Sequence, residues 1–417
     1  LETASTPRAL WTDAYLDQMR AVGDPEADEV VRQVFERRQF SELNSFVSSL
    51  SGAAALPDNM PPEIRAFVDR TSARPEWVQD MHLRRAEHFF VRHGLASMMA
   101  LVCASLPECY TMRRGVRILA LTRQLGAHVD RRLHQTALMV LAVMGPHGLD
   151  RGGPGIVQAQ RVRLIHAAIR HLVLLGQAPQ DATPDEGYGS ARSKVSRSIG
   201  EAMARAGFTW SVADDGQPLN QEDLAFTLLT FSYILPLAMS RFGVPVSEDD
   251  HLDFLHTWNV VGAYLGVRRE LMPQTVEDAV YLLEQIKRRQ WGPSEDGAFL
   301  TDRLVCFVQD HVLRLRVLAP LAPIFVRAMV GDDTARVLGL NTRHHAGVIV
   351  FHQVVARLIS ALNAVASVLG RFHPLRHLGM AIGRRTIQFL YAYTAEFGGA
   401  PLAIPVEWSG IKKSTTS

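Results

Sequence analysis

Apolar residues recur at intervals of three and four along nearly the whole of this 417-residue chain, and alternating apolar–polar runs are almost absent. That spacing confines the fold to packed helices. A helix brings i, i+3, i+4 and i+7 onto one face, whereas a half-buried strand needs a period of two. Helices are expected at Asp13–Met19, Glu26–Phe35, Pro62–Arg70, Glu76–His93, Gly94–Ser105 and Arg113–Leu125. They continue at Asp130–Met144, Gln158–Leu175, Ser193–Ala206, Gln221–Arg241 and Glu248–Leu265. The last set is Thr275–Gln290, Asp302–Ala328, Asp332–Gly339, Arg343–Leu369 and Met380–Glu396. One short hairpin arm is expected at Phe208–Val212, ahead of Asp214-Asp215-Gly216. Nothing alternates strand with helix, so a parallel sheet has no support.

The interruptions are local. Ser51–Pro62, Gly145–Gly155 and Gln177–Ser190 read as loops, and the tail after Gly398 turns polar. None is long enough to separate domains, so a single all-α domain over residues 1–417 is expected. With 47% hydrophobic residues, the chain has ample material for a large core.

The formal net charge of +2 gives no reason to expect nucleic acid or an anionic membrane as partner. The basic residues are nearly all arginine; the lysines are Lys194, Lys287, Lys412 and Lys413. Cys103, Cys109 and Cys306 are too few for a disulfide framework. Cys103 and Cys109 can pair or remain buried thiols. The absence of Cys-x-x-Cys-His removes covalently attached c-type haem by that route. The longest uncharged run, Leu224–Ser240, is short for a bilayer span and contains Pro236. A core helix is expected there, without integral membrane association. The chain starts at Leu1 rather than Met, as expected of a trimmed product that has lost any export signal.

The stretch Val162–Leu175, "VRLIHAAIRHLVLL", combines apolar content with an unusual triplet. Arg163, His166 and Arg170, spaced i, i+3 and i+7, share a helical face. A neutral imidazole is a good iron ligand, and arginines pair well with the propionates of haem. Ala167 and Ala168 leave room for a flat group. The same triplet also fits a hydrogen-bonded core histidine flanked by structural arginines. About thirty residues upstream, His128, Arg132, Gln135 and Thr136 share a face that gives way to apolar Met139, Val140 and Val143. A distal oxygen pocket wants a few donors in an otherwise dry wall. A solvated first helical turn has the same composition.

Other motifs carry less. Gly152-Gly153-Pro154-Gly155 lacks the strand–turn–helix context of a phosphate loop. His344 and His345 point to different faces, and no Glu-x-x-His pair builds a di-iron site. No Gly-x-Ser-x-Gly marks a serine hydrolase. Gly262 and Gly266 read as sites of close helix packing. Asn220, followed by Gln221-Glu222-Asp223, reads as a helix cap with acids in its first turn.

Together "VRLIHAAIRHL", "RRLHQT", "QPLNQEDLAFTLLTFS" and "HTWNVVGAYLGVRRELMP" resemble the latex-clearing protein family of secreted bacterial rubber oxygenases, over about Arg131–Pro273. The resemblance implies an all-helical fold with a globin-like core and extra helices. It implies one non-covalent haem b, with His166 as proximal iron ligand and Arg163 and Arg170 near the haem. It implies dioxygen as co-substrate, cis-1,4-polyisoprene as substrate, and a secreted, monomeric enzyme. Arg132, Gln135 and Thr136 fall on the family's distal Arg-x-x-Lys-Thr motif, with Gln135 in place of the lysine. No lysine precedes Lys194, so no shift of register restores it. The family's distal carboxylate has only Glu108 and Asp130 as candidates, by nearness in sequence. A related oxygenase acting on a small prenylated metabolite, or a non-enzymatic oxygen-binding protein, are the alternative readings.

Overall fold

The computed structural model describes residues 7–37, 60–124, 129–177, 188–205, 207–312 and 321–340, together with 357, 361, 385, 387–390 and 392. The helices expected at Arg343–Leu369 and Met380–Glu396 lie largely outside these residues, as do His128, His344, His345 and His352.

The elements that matter are helices α1 (Asp13–Arg20), α2 (Pro25–Arg37), α3 (Pro62–Thr71), α4 (Asp80–Arg92) and α5 (Gly94–Cys109). They continue with α6 (Gly115–Gln124), α7 (Val129–Met144), α8 (Pro154–Gly176), α9 (Tyr188–Arg205), α10 (Gln221–Arg241) and α11 (Glu248–Tyr264). The last are α12 (Val276–Gln290), α13 (Glu295–Phe307), α14 (Ala322–Val330) and α15 (Asp332–Val337). Among the described residues there is no strand, only a single bridge between Met112 and Trp291. The arm expected at Phe208–Val212 is not a strand. The chain there is irregular and closes into a helical turn, Val212–Asp215, whose start is capped by the Ser211 hydroxyl accepting from the Asp214 amide. Local capping wins because no neighbouring strand offers a ladder.

Helix α8 is packed by α7, α2, α9 and α11. It threads between two apolar clusters. Ile156 and Ala159 belong to the larger one, while Leu164, Ala167, Ala168, Leu172 and Val173 belong to a smaller one with α2, α3, α6 and α9. The α7–α8 turn explains its glycines. A Cβ on Gly148 would sit 2.1 Å from the Ala142 carbonyl, and one on Gly155 would sit 2.7 Å from Val143 Cα. Bare backbone at both positions lets the two helices meet as an antiparallel hairpin. Pro154 then opens α8, earlier than expected, at a position where its missing N–H costs nothing.

Three helices carry a wide turn among the described residues: α13 runs into one at Val308–Val312, and the other two pair with each other. In α5 residues Leu101–Ser105 are π-helical, and in α10 residues Thr230–Ile234 are. Each of these two ends just before a proline, Pro107 and Pro236. Proline supplies no N–H to the carbonyl four residues back and clashes with it, so the ladder widens upstream. The two wide turns pack together, and the Ser105 hydroxyl donates to the Thr230 carbonyl at 2.7 Å. α10 is apolar and long enough to cross a membrane, yet most of it is buried inside the protein. Cys103 and Cys109 are both buried and free rather than paired.

Candidate functional site

His166 lies in the middle of α8. Burial first, then the charge of Arg170, lowers its pKa to about 4, against a smaller opposing effect of Asp24. The imidazole is therefore neutral at pH 7. Its Nδ1 is buried without a hydrogen-bond partner, while the ring as a whole keeps part of its surface. A core histidine normally satisfies its nitrogens; the Nδ1 atoms of His134 and His251 are likewise without a hydrogen-bond partner. Gln158, Val162, Ile165 and Ile169 are half-buried neighbours at helical spacing, the one incompletely covered stripe of α8 beside the ring.

The two arginines turn out otherwise than expected. Arg163 Nε and Nη2 donate to Asp24 at 2.5 and 2.9 Å, Nη2 also reaches Glu26 at 2.9 Å, and the guanidinium lies 5.1 Å over the Phe67 ring. Arg170 donates to the carbonyls of Pro218 and Leu219, each at 2.9 Å, and pairs with Asp28. Both side chains thus fasten the start of α2 to α8. They are not free clamps for propionates, and that expectation is withdrawn. Charge-assisted pairing with carboxylates satisfies them within the fold. Sequence spacing showed the shared face but not which acids would cover it.

The upstream set lies on α7, which packs on α8. Arg132 donates to the Leu119 carbonyl at 2.7 Å and the Tyr110 hydroxyl at 3.3 Å. The Thr136 hydroxyl donates to the Arg132 carbonyl at 2.9 Å, inside its own helix. Gln135 differs: its Nε2 is buried with no hydrogen-bond partner among the described residues. His134 packs away toward α13, edge-on to Phe307 and to His311, with ring centroids 5.2 and 5.6 Å apart. Glu108 is ion-paired with Lys287 and accepts from the Thr334 hydroxyl at 3.1 Å. It is a structural carboxylate, and the side chain of Asp130 lies outside the described residues.

Sequence reading missed the hub beside this site. Glu222, fully buried, accepts from Arg20 at 3.0 Å, Arg289 at 2.8 Å and Gln290 at 2.8 Å. Gln221 donates to the carbonyls of Gly23 and Gly266 and accepts from the Arg268 amide. Asn220 caps α10 as expected, its side chain accepting from the Asp223 amide at 3.0 Å. The acids behind it are tertiary anchors as well as first-turn acids. Gly262 and Gly266 are both sites of close packing, as expected, a Cβ on Gly262 falling 2.7 Å from Leu228; Gly266 has a second reason to be glycine. Its φ is +78°, and a Cβ there would meet Arg163 Nε and Asp24 Oδ2, each at 2.5 Å.

A neutral imidazole on α8 and an unpartnered amide on α7, the helix packed against it, are the two polar groups that the fold leaves unsatisfied among the sequence candidates. Comparison with known proteins identifies the family. Residues 91–361 match the family described as ER-bound oxygenase mpaB/B'/rubber oxygenase, catalytic domain. The chain belongs to this family and is an oxygenase. A rubber oxygenase of Streptomyces sp. (strain K30) is 24% identical over 358 residues, 81% of this chain and 78% of that protein. The structure of a latex-clearing protein in its closed state has the same fold, with a TM-score of 0.66 and 22% identity over 89% of this chain and 91% of that one.

Proposed function

We propose that this oxygenase carries one non-covalent haem b on His166 and cleaves the carbon–carbon double bonds of cis-1,4-polyisoprene. Dioxygen adds across the double bond, and one oxygen atom ends in an aldehyde and the other in a ketone. The observation that carries the reading is the His166 imidazole, neutral and only half-buried at the centre of α8. Neutral imidazole is the ligand form, and a single histidine suffices for an axial position. His166 therefore fits the group at its iron. Arg163 and Arg170 do not fit it at its propionates, since both already hold carboxylates. Haem, when bound, supplies the dioxygen chemistry that no side chain can perform. The chain supplies the rest. His166 orients the group, Val162, Ile165 and Ile169 offer an apolar wall, and Gln135 offers a donor.

Polyisoprene as substrate is supported by the name of the Streptomyces relative. An insoluble polymer cannot enter a cell, so we place the enzyme outside it, acting as a monomer without nucleic acid or membrane partners. A small prenylated substrate is the second reading. It is favoured by Gln135 standing where the rubber-cleaving pattern has lysine. The test is an absorption spectrum of the purified protein, as isolated and after haemin addition, with acid–acetone extraction of the pigment. Incubation with latex follows. Extractable haem b and carbonyl-terminated oligomers are expected. A protein that takes up no haemin removes the proposal, and haem without oligomers moves the substrate to the smaller class.

A further inference from the structure

A hollow of about 340 Å³ lies between α4 and the loop that leads into α11. Arg85, His88 and Arg92 line it at i, i+3 and i+7, so α4 turns them to one side. Arg84 and His93 add to the same rim. Phe89, packed edge-on to Phe254 with ring centroids 5.6 Å apart, and Pro245 give it an apolar lining. Asp250 is the only acid among these lining residues, and it is already committed. Its Oδ2 accepts from the Ser247 amide at 2.8 Å and the Ser247 hydroxyl at 2.6 Å, which caps α11. The arginines differ in what they have left to give. Arg84 is paired with Glu87 and Asp150. Arg85 Nε lies 3.0 Å from Asp253, a carboxylate shared with His82 Nδ1 at 2.6 Å, and its Nη2 reaches the exposed Asp249. Arg92 pairs with no acid among the described residues. Beside it His93 stays neutral at pH 7, its pKa lowered to about 4 by burial first and then by Arg92, with Asp250 opposing.

We propose that this hollow binds a small soluble oxyanion of the phosphate class, with Arg92 as its main counter-charge and Arg85 and His93 as further donors. A solvated face of ion-paired side chains would leave no charge over, whereas here one guanidinium is uncommitted at the rim of a concave space. A guanidinium matches two oxygens of a tetrahedral anion at once. A neutral imidazole donates through one nitrogen without adding repulsion toward Arg92. The apolar lining at Phe89 and Pro245 leaves room for a small organic group esterified to the anion. The assignment stands apart from haem at His166, and its test needs none.

The experiment titrates the full chain with inorganic phosphate by calorimetry, at neutral pH and constant ionic strength set with sodium chloride. Wild type is compared with Arg92→Gln and with Arg336→Gln, which removes the same charge from an exposed position on α15. Both arginines are exposed, so both variants should keep the wild-type melting temperature in the absence of phosphate. Saturable binding at a single site is expected. Loss of the charged hydrogen bonds predicts about tenfold weaker binding in Arg92→Gln, with Arg336→Gln like wild type. No saturable binding to wild type overturns the assignment, and so does unchanged affinity in Arg92→Gln. Equal weakening in the two variants also overturns it, because that pattern reflects net charge alone. Vesicles of phosphatidylcholine, with and without phosphatidic acid, tell a free ion from a lipid headgroup. If acidic vesicles are held through Arg92 and free phosphate is not, the soluble-ion assignment is overturned.

Discussion

Arg163 and Asp24 form a two-point contact, Nε to Oδ2 at 2.5 Å and Nη2 to Oδ1 at 2.9 Å, that ties the middle of α8 to the residue opening α2. Asp24 also accepts from the Ala27 amide at 3.3 Å, so one carboxylate both starts α2 and fastens it. Both side chains are buried. Asp24→Asn leaves the guanidinium with Glu26, which is 41% exposed and a weaker counter-charge. Breaking a buried pair on one side costs about 3–5 kcal/mol, and the partial compensation places this variant near the lower end. Urea unfolding should show it, with little dependence on salt because the pair is screened from solvent. A loss under 1 kcal/mol would mean that the contact does not hold α2 in place.

Gly266 makes that contact possible from the other side. Its φ of +78° and the 2.5 Å distances from a built Cβ to Arg163 and Asp24 both exclude a side chain. Gly266→Ala combines left-handed backbone strain of about 1 kcal/mol with displacement of the pair. It should cost more than Asp24→Asn alone. In the Asp24→Asn background the added cost should shrink toward the strain term, because the pair is already broken. Full additivity in the double variant would contradict this coupling.

Much of the fold was legible because helical periodicity and caps are local signals. The Asn220 cap, the α7–α8 turn glycines and the buried apolar helix α10 all follow from neighbouring residues. What was not legible is long-range. Arg163 and Arg170 showed the right spacing for two clamps, but their acids, Asp24, Glu26 and Asp28, lie more than a hundred residues away. The wide turns before Pro107 and Pro236 needed to be seen, since a proline in a helix can end it, kink it or widen it. His166 was legible as a candidate through its isolation in an apolar run, and the structure adds that its Nδ1 has no partner.

Glu222 holds three donors from two separate helices: Arg20 on α1, and Arg289 and Gln290 on α12. Burial raises its pKa, against the lowering effect of Arg20 and Arg289. Glu222→Gln keeps the shape but removes the charge that two guanidiniums face, for a loss of about 3 kcal/mol. Glu222→Leu also deletes the acceptor and should be worse. In Arg289→Gln the Glu222 carboxylate keeps Arg20 and Gln290, and Asp17 is left facing solvent, so that variant should cost less than Glu222→Gln. Chemical unfolding of the three variants gives the ranking; the reverse order for Glu222 and Arg289 would show that the hub lies at Asp17 instead.

Protonation of His166 sets an acid limit on the protein without added haemin. Burial, aided by Arg170, holds its pKa at about 4. Burial does the same for His93, aided by Arg92, and for His256, aided by His82. The unfolded chain protonates each near pH 6.5 while the folded chain does not until about 4. The unfolded state therefore binds more protons in that window, and stability falls as pH drops through it. The contribution of His166 is fully present above pH 6.5 and lost by about pH 4, on the order of 3 kcal/mol at one pKa unit per 1.36 kcal/mol. His166→Gln, which cannot protonate, should leave His93, His256 and His251, whose pKa burial also lowers, to act and flatten the fall by that amount. Thermal or urea unfolding of both proteins from pH 7.5 to 4 measures the difference. A wild-type minus variant stability that is constant across that range would show that His166 is already accessible to protons in the folded chain.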